Sequence, residues 1–61
     1  MKKVKGTLVG QDSNAFVLLG YFKKLAQRQG WTPQEIKQVV DEAMSGDYNH
    51  LLITLNDHME E

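Results

Sequence analysis

The chain has 61 residues, no cysteine, and seven Lys/Arg against eight Asp/Glu for a formal net charge of -1. A protein of this size buries only about 60% of the surface its unfolded chain exposes, so a single domain over residues 1–61 with one small core is expected. The lack of cysteine excludes a disulfide framework and a thiolate metal site, and the charge balance withholds the basic excess that drives nonspecific nucleic-acid binding.

The first residues alternate from Val4 to Val9, with Val4, Gly6 and Leu8 on one side and Lys5, Thr7 and Val9 on the other. This period of two predicts a short strand. A lone strand has unpaired backbone groups, so it must pair with a second copy, pair with a partner, lie on the helices as an arm, or stay mobile. The loop Gly10-Gln11-Asp12-Ser13 follows, and Ser13 is the expected cap of the next helix. Residues 1–12 are thus read as arm and loop.

Three helices are predicted at 14–29, 33–45 and 48–59. In the first, Ala15, Leu18, Leu19, Phe22, Leu25 and Ala26 fall on one arc and Lys23, Lys24, Gln27 and Arg28 fall opposite. The second opens on Thr32-Pro33-Gln34-Glu35, a capping box with proline at the first helical position. Trp31 and Ile36 flank that cap at the spacing of a hydrophobic staple, and Gly30 is placed to end the preceding helix in the left-handed conformation. Ile36, Val39, Val40, Ala43 and Met44 form the second core face, and Gly46 closes it. Asp47 caps the third helix, whose apolar face is Tyr48, Leu51, Leu52, Leu55 and Met59. Short links force antiparallel neighbours, so the predicted fold is an all-α compact three-helix domain with a short N-terminal extended arm or strand.

Four constellations bear on function. Ala26, Gly30 and Ile36 have the spacing of a helix-turn-helix corner. In that reading residues 33–45 enter the major groove with Gln34, Lys37 and Gln38 at base edges, and Lys23, Lys24 and Arg28 meet phosphates. Glu35, Asp41 and Glu42 on the same helix weigh against it. A second group, Asp12, Ser13, Asn14, Asp47 and His50, gathers where the first and third helices start, and is read as a network of caps with His50 reaching back to Asp47 or to the 12–14 loop. No catalytic pairing emerges: His50 and His58 lie about 12 Å apart along one helix, too far to share an ion, and neither serine has a histidine at a motif spacing. No enzymatic activity, cofactor or metal is therefore expected. Finally, Phe16, Val17, Tyr21 and Ile53 project from the flanks of their helices. Either the arm folds over Phe16 and Gly20, or these residues form a contact surface with Val4 and Leu8 of the strand.

The stretches Asp12-Ser13-Asn14-Ala15-Phe16 and Ser45-Gly46-Asp47-Tyr48-Asn49-His50-Leu51-Leu52 resemble a group of small bacterial and phage-borne proteins of uncharacterised function. That group carries Asp-Gly-Asn-Ala-Phe and Ser-Gly-Asp-Tyr-Asp-His-Leu-Leu. The likeness spans about Gly10 to Met59, departs at Ser13 and Asn49, and implies a bacterial or prophage source and a helical domain. The longest uncharged run, Ser13 to Phe22, is about half of the roughly 20 residues of a membrane span, and Lys5, Gly6 and Gln11 interrupt any secretory segment after Lys3. The expectation is a cytoplasmic, non-enzymatic protein-interaction module without membrane contact. Its partner would be another protein or a second copy, as a homodimer, bound through Val4, Leu8, Phe16, Val17, Tyr21 and Ile53, with DNA binding as the alternative.

Overall fold

The computed structural model describes residues 2–61. Along the chain run β1 (Val4–Lys5), α1 (Ala15–Arg28), α2 (Pro33–Ala43), α3 (Tyr48–Asp57) and β2 (Met59–Glu60). The three helices share one core built on Leu18, Leu19, Phe22, Ile36, Val39, Val40, Leu51 and Leu55, as their apolar faces predict. None of them is long and apolar enough to cross a membrane.

The corner between α1 and α2 follows the sequence residue by residue. Gly30 takes φ +86°, and the Trp31 amide donates to the Ala26 carbonyl at 3.0 Å while the Gly30 amide donates to that of Gln27 at 3.2 Å. These are the two bonds of a Schellman stop. Two residues later the Glu35 amide donates to Thr32 Oγ1 at 3.2 Å and the Thr32 amide donates to Glu35 Oε1 at 2.8 Å, completing the capping box. Trp31 and Ile36 on either side are both buried. The indole meets Phe22 edge to face, with centroids 5.6 Å apart, and Lys2 Nζ lies 5.2 Å above its ring while also bonding Glu35 at 2.9 and 3.0 Å.

The N-terminal strand is shorter than the alternation predicts, and its partner is the C-terminal segment of the same chain. Residues Val4–Lys5 pair in parallel with Met59–Glu60 of the same chain, Val4 opposite Met59 and Lys5 opposite Glu60. Val4 and Gly6 donate to the carbonyls of His58 and Glu60, each at 2.7 Å. On the other edge the Gln29 side chain imitates a strand: its Oε1 accepts from the Lys5 amide at 2.8 Å and its Nε2 donates to the Lys5 carbonyl at 2.9 Å. Both edges of β1 are thereby satisfied in cis. Gly6 lets the arm turn close against α1, since a Cβ there would lie 2.7 Å from Leu25 Cδ1, at a φ of +150° that side chains rarely adopt.

This pairing also explains where α3 stops. The helix ends at Asp57 rather than near 59, because burying Met59 against the core and pairing it with Val4 requires extended backbone. At the other boundaries, Asn14 rather than Ser13 caps α1, accepting from the amides of Phe16 and Val17, while Asp12 accepts from the Asn14 amide. Helix α2 ends at Ala43, two residues before the predicted 45, and Gly46 has no positive φ.

The corner gives two expected outcomes in chemical denaturation. Trp31→Ala should lower stability by about 3 kcal/mol, from lost burial and the cavity left behind, and Thr32→Ala by about 1 kcal/mol, from loss of the cap. Native Trp31 fluorescence as red-shifted as that of the unfolded chain would contradict the first.

Candidate functional site

The antiparallel arrangement brings the starts of α1 and α3 and the end of α2 to one pole of the domain. There the phenol of Tyr48 donates to the Ser13 carbonyl, tying the first and third helices together, while the caps Asn14 and Asp47 each serve their own helix. Between the three helix ends lies a hollow of about 250 Å³, lined by Phe16 and Leu19 of α1, Met44 after α2, and Asp47, Tyr48 and Leu51 of α3. Its floor is core, because Leu19 and Leu51 are buried, but its walls are not: Phe16 is 78% exposed, Met44 56% and Tyr48 42%. Three large side chains thus expose apolar surface around one depression.

One wall is held by polar contacts at the turn from α2 to α3. The last carbonyls of a helix have no partner within it. Here Ser45 Oγ donates to the Glu42 carbonyl at 2.7 Å, and His50 Nε2 lies 2.9 Å from the same oxygen and 2.8 Å from Glu42 Oε2. The His50 amide donates to Asp47 Oδ1 at 2.9 Å, capping α3. His50 therefore links back to α2 rather than to the 12–14 loop. Gly46 makes this possible, since a Cβ there would lie 2.9 Å from His50 Cβ and Cγ. The hydrogen bond that Glu42 accepts from the imidazole raises the His50 pKa, and the same bond, helped by Ser45, lowers that of Glu42. Although Ser45, His50 and Glu42 adjoin, Ser45 and Glu42 both approach Nε2, 3.3 Å away in the case of Ser45 Oγ. A catalytic triad instead needs the serine and the carboxylate on opposite ring nitrogens. Among the described residues no three His, Cys, Asp or Glu side chains are grouped to hold a metal ion.

The predicted contact residues divide. Val4 is fully buried beneath the helices, so it offers no surface to a partner. Leu8 and Tyr21 are partly buried and pack on the core, which withdraws them from a free contact face. The arm covers Tyr21 and Leu25 rather than Phe16 and Gly20, both of which are exposed. Phe16, Val17 and Ile53 are exposed as predicted, and of these only Phe16 lines the hollow. Met44 and Tyr48, on the apolar faces predicted for the second and third helices, form the walls of the hollow instead of core. Both sit at helix ends, Met44 in the cap position and Tyr48 directly after Asp47, where the facing rule of a continuing helix no longer applies.

The alternative nucleic-acid set is solvent-facing throughout: Lys23, Lys24, Arg28, Gln34, Lys37 and Gln38 are all exposed. Lys23 and Lys37 border one hollow of about 340 Å³ between α1 and α2, but Lys37 Nζ is held by Asp41 at 2.6 Å. Lys23, Lys24 and Arg28 enter no ion pair among the described residues.

No protein-family model, no curated protein and no solved structure matches this chain.

The His50–Glu42 contact sets a pH dependence with a definite sign. A raised His50 pKa contributes stability that is complete below 6.5 and is lost as pH rises through the folded value. A lowered Glu42 pKa contributes above 4.5 and is lost as pH falls through its own. The stability difference between the native chain and His50→Gln should therefore be largest between pH 4.5 and 6.5 and shrink on both sides. Gly46→Ala, which displaces the imidazole, should show the same profile. A difference that does not vary with pH would contradict this account.

Proposed function

We propose that this chain is a small non-enzymatic interaction module of the cytoplasm that binds another protein through the hollow walled by Phe16, Met44 and Tyr48. The observation that carries this reading is the group of Phe16, Met44 and Tyr48, which are 78%, 56% and 42% exposed around one depression. Single exposed apolar side chains are ordinary, but a cluster of them around a hollow marks a contact site. The N-terminal strand, expected to share this role, instead has both edges satisfied within the chain. A bacterial or phage-borne source is part of the same reading and rests on the two sequence patterns that resemble such proteins.

DNA binding through α2 is the second reading, supported by Lys23, Lys24 and Arg28, which enter no ion pair among the described residues. It is weaker because α2 itself carries Glu35, Asp41 and Glu42 against Lys37, and Lys37 is already engaged by Asp41. Binding by phosphate neutralisation would appear as an affinity for random duplex that falls steeply with salt.

Photo-crosslinking in cells of the source organism tests the two together. A photoreactive residue at position 16 should give a discrete protein adduct and one at position 34 none, and unlabelled native protein but not Met44→Glu should compete the adduct away. An adduct with nucleic acid from position 34, or none with protein from position 16, overturns the proposal.

A further inference from the structure

We infer that the hollow takes a segment of a different protein presenting one bulky apolar side chain flanked by Lys or Arg, and not a second copy of this chain; the inference rests on the docking reading above. Size comes first. At about 250 Å³ the depression falls below the roughly 300–1,000 Å³ typical of small-molecule and cofactor sites, but it admits a side chain. Among the described residues Asp47 is the charged member of its lining, and Asp12 is at the same pole, in the loop whose Ser13 carbonyl Tyr48 holds. Glu42 lies just behind, on His50.

Five of the seven Lys and Arg residues are placed elsewhere. Lys2 is bound to Glu35 at the corner between α1 and α2, Lys5 lies on β1, whose backbone bonds Gln29, and Arg28 ends α1, all at the opposite pole. Lys23 and Lys37 face the hollow between α1 and α2 along the side of the domain.

Helix dipoles do not reverse the sign of the acidic pole. The starts of α1 and α3 contribute about +0.5 charge each and the end of α2 about -0.5. Against this stand full negative charges on Asp12, Asp47 and Glu42, offset at most by one positive charge on His50. The pole stays negative by roughly 1.5 to 2.5 charges whether or not His50 is protonated. Two copies meeting symmetrically through Phe16 would set the Asp12 and Asp47 carboxylates of one against those of the other, because a twofold contact puts the same patch on both sides. A partner with cations beside its apolar anchor meets the opposite situation and gains in rate and specificity.

The probes are two synthetic amphipathic helical peptides with the same apolar face, one flanked by Lys and one by Glu, titrated by fluorescence anisotropy, together with sedimentation of the protein alone. The Lys-flanked peptide should bind about tenfold tighter than its counterpart at low salt. The preference should fall towards unity at high salt, where charges are screened within a few ångströms. Asp12→Asn with Asp47→Asn removes both charges and keeps two good capping side chains, so it should erase the preference while leaving binding of both peptides, whereas Phe16→Ser should abolish both. Equal binding of the two peptides that still depends on Phe16 overturns the charge inference and leaves the docking reading standing. Binding unaffected by Phe16→Ser, or no binding of either peptide, overturns both. A dimer of the native chain that Phe16→Ser dissolves establishes a second copy as the occupant and overturns the inference.

Discussion

The fold depends on the way one residue, Trp31, is used twice. Its amide closes α1 on the Ala26 carbonyl, and its ring fills the core against Phe22 directly before Thr32 opens α2. Chain reversal, helix termination and core packing therefore depend on the same residue, so the relative placement of α1 and α2 admits little adjustment. Lys2 then covers the indole from outside and is itself held by Glu35, the residue that completes the capping box. The pKa of Glu35 is lowered by the Thr32 amide first and by Lys2 second. Because this carboxylate is exposed, these contacts serve geometry more than stability.

Where the sequence was legible, it was so because the determinant was local. The stop at Gly30, the capping box at Thr32 and the cap at Asp47 are set within about one helical turn, and the structure reproduces each. The apolar arcs of α1 and α2 likewise predict their buried residues, with Ala15 and Leu25 only partly buried and Met44, at the very end, exposed. Illegible features involved residues far apart in the chain. Met59 continues the spacing of Leu51 and Leu55, so periodicity assigns it to a helix, but Val4 recruits it into a strand. The side chain of Gln29, nominally a polar residue at a helix end, completes the sheet in a way that no local pattern encodes.

The candidate site shows the same division. Exposure of Phe16 follows from its angle on α1, and the gathering of the 12–14 loop with Asp47 follows from antiparallel packing. The hollow itself could not be read, because it depends on how three helix ends splay. Leu19 and Leu51 meet at its floor while the caps hold Met44 and Tyr48 outward. Polar contacts among Ser45, His50 and Glu42 fix the α2–α3 turn around the Glu42 carbonyl at the end of α2, so a structural need of the fold also shapes the surface that would meet a partner.

Pairing Val4 with Met59 has a kinetic consequence. It joins residues separated by nearly the whole chain, and closing so large a loop before anything else has formed carries the full entropic penalty of bringing distant ends together. Once the three helices have collapsed, the two ends already lie side by side and the penalty is mostly gone. The pairing is thus favoured once the helices have packed. Hydrogen exchange at the Val4 and Gly6 amides reports its opening separately from global unfolding.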